Sequence, residues 1–402
     1  MNSIPEPSIE QIRSFRLRSH HLDRNYDKSD VIKLTGACGM PNSPPGAWET
    51  ALYNRVLSCS LSEMQHMLYE EKLLLQAWSF RGIPVVFPVS ESRIFLSSLI
   101  PEKDEPWIYT RGITGALDFL HMSFEEVFEL LKQVIPRLDE TVLIGKTALD
   151  QTLAEWVEPL LTEEKRILWK QPSMYGSPDT QTVGGAAVSF LLRPCSFCGL
   201  VVFGKREKTA PVFTSYQNWV GNRMKTGSSS AGKQAVSELV KRYLHCYGPA
   251  SADDFSAWLG CSGKQGRRMW ETASVETEPV IISGRRAFIL SADKEILFSS
   301  PSFQRELLLL GGHDPFLDQR DRFVLQPDKS LHKQIWKLVA NPGVVVYRGE
   351  AVGIWNCVKK SKGLEFKITL WTDFPLKKNL DQLAGEYAAF RGQQVQNLII
   401  ND

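Results

Sequence analysis

The basic side chains between Lys264 and Arg286 are the groups in this chain best placed for chemistry. "SGKQGRRMWETA" reads as a short helix bearing Lys264, Arg267 and Arg268. "PVIISGRRAFIL" reads as two apolar runs about Ser283-Gly284, a hairpin whose return strand starts with Arg285 and Arg286. A further basic cluster, Lys205, Arg206 and Lys208, lies near the turn of the hairpin "SFCGLVVFGKREKTAPVFTSY". Ammonium and guanidinium groups on a helix and on hairpin tips can grip phosphate oxygens and hold a nucleic-acid duplex in register. The competing reading is a solvated charged face, or a module that binds another protein.

Other candidate groups offer less. "GSSSAGKQ", Gly227 to Gln234, nearly spells a phosphate-binding loop, but Gln234 replaces the required Ser or Thr and no buried strand feeds it. It reads as a Ser-rich linker. "CSFC", Cys195 to Cys198, is a lone pair with no second pair at zinc spacing, so neither a metal nor a cofactor is expected. The seven histidines include one adjacent pair, His20-His21, and suggest no Cys-His or Ser-His-Asp arrangement. In "LLLLGGHDPFLDQRDR", Leu307 to Arg322, Asp314 before Pro315 can cap a turn, while Arg320 and Arg322 can pair with acids or touch phosphate. That corner reads as mainly structural, and His313 as a lone histidine without a visible partner.

These side chains need elements to hold them, and the clearest lie between Lys233 and Leu290. "KQAVSELVKRYLHCYG" sets Val236, Leu239, Val240, Tyr243 and Leu244 at helical spacing, and Gly248-Pro249 ends it. "SADDFSAWLG" opens on Ser251 as an N-cap, places acids in its first turn, buries Phe255, Trp258 and Leu259, and ends at Gly260. With the basic helix and hairpin, this makes three helices and a β-ribbon, the order of a winged helix. Upstream, "LLLQAWSFRGIPVVFPVSESRIFLS" reads as a helix end, then Arg81-Gly82, then two strands joined around Pro88 to Ser92. It follows the helical "LSEMQHMLYEEKLLLQAW", as the Lys205 hairpin follows the helical "SFEEVFELLKQVI" and "LAEWVEPLLTEEKRILW". The last part differs: "GVVVYRGEAVGIWNCVKKSKGLEFKITLW" predicts three strands with tight turns, and a final helix spans Leu376 to Arg391. The expected fold class is mixed α/β (α+β). Tandem winged-helix (helix-turn-helix) units occupy residues 1–110, 111–226 and 227–293, and a β-barrel-like unit with a final helix occupies 294–402.

Bulk composition agrees with several globular units. The chain has 402 residues, 43% hydrophobic and 23% charged, which excludes a disordered chain and argues for more than one core. Its net charge of +2 means that a polyanion must be met by local basic patches. No stretch approaches a membrane span, Met1 to Glu10 lacks a signal pattern, and seven scattered cysteines suit a reducing compartment. A cytoplasmic protein is expected.

"ELVKRYLHCYGPASADDFSAWLG", "LLLLGGHDPFLDQRDR" and "VVYRGEAVGIWN" together resemble the AlkZ-type DNA glycosylases. These are tandem winged-helix proteins that unhook DNA interstrand crosslinks and remove alkylated purines. "QAWSFRGIPVVFP" is similar to that family's Arg-Gly turn into its first wing. The similarity runs over nearly the whole chain and is weakest before Asp30. An alkylated purine is already cationic and leaves readily, so such an enzyme must hold a water over C1′ and stabilise an oxocarbenium-like sugar. The resemblance implies a Gln-x-Gln pair for this task. Counting back from Arg55 in "PPGAWETALYNRV" puts Pro41, Asn42 and Ser43 in its place, so both glutamines are absent. Asn42 brings an amide one position off, Ser43 a shorter hydroxyl, and Glu49 a carboxylate just after the loop. These three are the candidate catalytic residues, set against a capped loop-to-helix junction. Trp48 could stack on a base or sit in the core. The implied DNA contacts are Arg81, Lys205, Arg206, Lys264, Arg267, Arg268, Arg285 and Arg286.

Two functions follow. One is a monofunctional DNA glycosylase hydrolysing the N-glycosidic bond of bulky alkylated purines or crosslinked bases. The other is a DNA-binding protein that keeps the scaffold without the water-positioning pair. Both make damaged double-stranded DNA the partner of a monomer that needs no cofactor.

Overall fold

Leu307–Leu310 form a strand in which every side chain is buried. Successive residues of a strand point to opposite faces, so a run of four buried leucines requires cover on both sides. The computed structural model, which describes residues 4–175, 179–224 and 230–401, supplies that cover. Leu307 and Leu309 pack with Val345, Trp355, Phe366 and the helix Leu380–Phe390. Leu308 and Leu310 pack with Leu17, Phe316, Leu325 and Ile335 on the other face. The sheet has five strands, ordered Val395–Asn401, Gly363–Leu370, Glu350–Lys360, Gly343–Tyr347 and Leu307–Leu310. Pairing is antiparallel except for Gly363–Leu370 with Val395–Asn401, which is parallel. Gly343 lets two elements close up, since a Cβ there would stand 2.2 Å from Trp355 Nε1, which donates to the Leu310 carbonyl.

The expected barrel-like unit is therefore an open sheet. Its three predicted strands are present, but the edge strands Leu307–Leu310 and Val395–Asn401 do not meet. With both faces already covered, no interior is left for a barrel to enclose.

This sheet belongs to a unit of residues 1–67, 237–258 and 267–402, while residues 68–236 and 259–266 form a second. The predicted helices and hairpin are observed: Ser230–Tyr247, Ala252–Leu259, Gly263–Glu271, then Thr277–Ile282 and Arg285–Leu290. Ser251 caps Asp254 N–H through its hydroxyl while the Asp254 carboxylate accepts from Ser251 N–H, a reciprocal cap. Tyr243, Phe255, Trp258 and Trp270 form the aromatic core between the helices. The hairpin turns at Ser283 (φ 48°) and Gly284 (φ 75°), both left-handed, as a two-residue hairpin turn of the primed class requires. The helix Ile9–Ser19 packs Ile12 and Phe15 onto this hairpin beside Val280, Ile282 and Ile289.

The second unit gathers Phe124–Val134, Lys146–Val157, Glu163–Trp169 and Val183–Phe197 around Leu131, Leu153, Leu191, Trp78, Phe203 and Phe213. The Lys205 hairpin is present as Val202–Phe203 and Val212–Thr214. The upstream hairpin differs from expectation. Leu74–Trp78 is a strand rather than a helix end, and it pairs with Pro84–Pro88 across a turn holding Arg81 (φ 55°) and Gly82 (φ 67°). All five residues of Leu74–Trp78 are buried, so the run lacks the alternation that marks a strand in sequence. After Pro88 the chain turns helical at Val89–Glu91 and Ser92–Phe95, where a second strand was expected. Residues 225–229, and with them part of "GSSSAGKQ", lie outside the described residues. Residues 230–234 open the helix Ser230–Tyr247 rather than continuing a linker.

Candidate functional site

The loop that carries Asn42 and Ser43 is set by glycine and proline. Met40–Pro41 is a short buried strand, and Gly46 (φ 92°) precedes the helix Ala47–Tyr53 in a conformation that favours glycine. Asn42 is buried, and its Oδ1 accepts from Gly46 N–H at 2.7 Å, closing the loop on itself. Ser43, Pro44 and Pro45 are exposed. Trp48 is buried at 1% exposure, so it takes the core role rather than the stacking one.

Glu49 is also buried, and both of its oxygens are engaged. Oε1 accepts from Gln65 Nε2 and Oε2 from Arg391 Nη1, each at 3.0 Å. A Cβ on Gly46 would stand 3.3 Å from Glu49 Oε2, so the loop and the carboxylate are in close approach. The structure thus brings Asn42, Gly46 and Glu49 together, with Ser43 on the exposed side of the same loop. Arg391 and Gln65 are partners that sequence reasoning missed. Arg391 lies 342 residues from Glu49, and no local signal joins them.

Pro44, Pro45 and Gly46 line a cavity of about 310 Å³, together with His313, Asn356 and Arg391. Thr50 Oγ1 and Tyr387 Oη, 3.4 Å apart, also reach it. Burial pushes the Tyr387 phenol up, which keeps it a hydroxyl donor. His313 therefore faces the same cavity as the loop, a placement its lone position in sequence did not suggest. The cavity combines an amide, an imidazole, a guanidinium and hydroxyls, a set that can orient a polar planar ligand or a water.

The Asp314 corner is structural. Arg55 Nη1 and Nη2 each donate to an Asp314 oxygen at 2.8 Å, and Asp314 Oδ1 caps Phe316 N–H at 3.0 Å. Asp321 makes a second bidentate pair with buried Arg16, at 2.7 Å. Arg320 donates to the Ala257 carbonyl, and Arg322 lies 4.5 Å over the Trp336 ring.

Among the basic residues, Lys264, Arg267, Arg285 and Arg286 are exposed and Arg268 is half-buried. Lys264, Arg267 and Arg268 share one face of Gly263–Glu271, opposite buried Gln265 and Met269. Arg286 lies over Phe288, 5.4 Å from its ring centre. Lys205 pairs with Glu70 at 2.5 Å, and Arg206 donates to the Thr209 carbonyl. Arg81 is half-buried, with its guanidinium 5.1 Å over Phe80 and its backbone tight against Gly260. In CSFC, burial pushes the Cys195 thiol far up and Cys198 to about 11, which disfavours the nucleophilic thiolate.

Residues 34–390 match the family described as DNA glycosylase AlkZ-like. An interstrand DNA cross-link repair glycosylase of Streptomyces sahachiroi is 24% identical over 364 residues, covering 87% of this chain and 88% of that protein. The solved structure of Streptomyces sahachiroi DNA glycosylase AlkZ has the same fold, with a TM-score of 0.74 at 20% identity over 98% of this chain and all of that one. Among the described residues, no helix is long and apolar enough to cross a membrane.

Proposed function

This chain belongs to the AlkZ-like DNA glycosylase family, and from that premise we propose that it hydrolyses the N-glycosidic bond of bulky alkylated purines, crosslinked bases included, in duplex DNA. The observation that carries the proposal is that Pro44, Pro45 and Gly46, inside the matched span and next to Asn42 and Ser43, line a polar cavity, and that Gly46 approaches a buried carboxylate. A cationic purine leaves with little acid assistance, so the protein's task is to hold water and to stabilise positive charge on the sugar. In this reading Asn42 fixes the loop through Gly46, and the exposed Ser43 hydroxyl holds the water. Glu49, held in place by Arg391 and Gln65, supplies negative potential for the oxocarbenium-like sugar. Tandem winged-helix units at 1–110, 111–226 and 227–293 grip the damaged duplex through Arg81, Lys205, Arg206, Lys264, Arg267, Arg268, Arg285 and Arg286. The protein acts as a cytoplasmic monomer without a cofactor in catalysis.

A second reading is a DNA-binding protein for damage recognition or transcriptional regulation. It is favoured by the prior engagement of Asn42 Oδ1 and of both Glu49 oxygens. The test is single-turnover incubation with duplexes carrying N7-methylguanine or a nitrogen-mustard-type crosslink, abasic sites being opened by mild alkali. Excision by the wild type that is lost in Asn42→Ala/Glu49→Ala supports the site as drawn. Excision retained in the double variant moves the catalytic groups elsewhere. Tight, salt-sensitive binding with no excision favours the second reading.

A further inference from the structure

Three residues far apart in sequence meet in the interior of the first unit. His20, Cys38 and Cys246 each present one ligating atom, and the three atoms lie within 4.8 Å of one another. All three residues are buried, Cys246 completely. His20 Nδ1 stands 3.9 Å from Cys38 Sγ, and His20 Nε2 is buried with no hydrogen-bond partner among the described residues. The Ala37 carbonyl is 3.6 Å from Cys246 Sγ and the Ser19 carbonyl 3.8 Å.

We propose that His20, Cys38 and Cys246 bind one soft divalent metal ion of the zinc class, with a backbone carbonyl of Ala37 or Ser19 completing a four-coordinate site. The spacing fits. Zinc sits about 2.3 Å from thiolate sulfur and about 2.0–2.2 Å from nitrogen or oxygen, so tetrahedral ligand atoms lie roughly 3.5–3.8 Å apart. The 3.9 Å from His20 Nδ1 to Cys38 Sγ and the 3.6 Å from the Ala37 carbonyl to Cys246 Sγ are near those values, and the remaining pairs among the three side chains, all within 4.8 Å, close by movements on the order of 1 Å. The donors are chemically suited as well. One imidazole nitrogen and two cysteine sulfurs are a donor set that zinc-class ions take.

The charge balances. Binding removes one proton from each thiol, and two thiolates neutralise the dication with histidine neutral. Arg55, paired to Asp314, donates to the His20 carbonyl and so lies beside the site. Residue spacings of 18 and 208 positions place this set outside the sequence patterns of zinc motifs, which explains why the CSFC pair drew attention instead.

The test uses the full chain. Metal content is measured after purification from zinc-replete medium, and protein refolded with cobalt(II) is examined for the thiolate-to-cobalt charge-transfer band and intense tetrahedral d–d bands. One ion per chain is expected, with release of two protons on loading and affinity that rises with pH. Cys38→Ser and Cys246→Ser should each abolish the charge-transfer signal of a two-thiolate site, while Cys198→Ser leaves it intact. A folded wild-type chain that holds no metal and shows no cobalt band overturns the proposal without recourse to any variant. So does oxidant-driven Cys38–Cys246 disulfide formation that proceeds equally with and without added metal.

Discussion

Removing the Asp314 carboxylate is expected to be one of the most costly single changes in the first unit. Arg55 and Asp314 are 2% and 0% exposed, and the pair is bidentate. In Asp314→Ala, Arg55 retains, among the described residues, only the His20 and Ala51 carbonyls, at 2.8 and 2.6 Å, and no counter-charge. Leaving a buried charge uncompensated costs about 3–5 kcal/mol, and the lost cap on Phe316 adds roughly 1 kcal/mol. Replacing both members, as in Arg55→Met/Asp314→Ala, removes the orphaned charge. The double variant should therefore be more stable than Asp314→Ala alone. Because the chain has two units, global unfolding need not be two-state. Urea-dependent hydrogen exchange at Leu307–Leu310 isolates the relevant core. A loss below about 1 kcal/mol in Asp314→Ala, or costs that simply add in the double variant, would refute the reasoning.

Arg267→Ala and Arg285→Ala should each weaken binding to undamaged and damaged duplexes alike. Each should also flatten the plot of log affinity against log salt by about 1, as expected for one phosphate contact; an unchanged slope measured by fluorescence anisotropy argues that these arginines only solvate the surface. Glu63 is held down to about 2 by a hydrogen bond from Lys28, then by the Ser60 N–H and hydroxyl. A folded-state pKa below the unfolded value contributes stability above the ordinary carboxylate range, and that contribution is lost as pH falls toward about 2. Wild type should thus lose more stability than Glu63→Gln between pH 5 and pH 2 (roughly the interval between the two pKa values), and equal losses by chemical denaturation would contradict it.

How far the sequence could be read depended on the range of each signal. Ser251, Gly260 and the Ser283-Gly284 turn mark their elements within a few residues, so the helices and hairpin from Lys233 to Leu290 were legible. Leu74–Trp78 and Leu307–Leu310 were not, because strands buried on both faces lose their period of two. The parallel strand Val395–Asn401 lies after a helix and has little burial to shape its pattern. At the candidate site, the loop around Asn42 and the carboxylate of Glu49 could be located by register. Their actual engagements could not, since Gly46 acts through backbone geometry and Arg391 arrives from the far end of the chain.

The first unit is stitched together from three separate lengths of chain, and this orders events in time. Arg13, Arg16 and Glu49 are synthesised early, but their partners Glu350, Asp321 and Arg391 emerge 337, 305 and 342 residues later. The second unit is nearly continuous and can close its core over shorter loops, so it should acquire protection first during synthesis or refolding. Meanwhile Ile12, Phe15 and Leu17 on the helix Ile9–Ser19 have nothing to cover them. For this protein, the interval between making the first helix and making the sheet that receives it is the period of greatest exposure to misassembly.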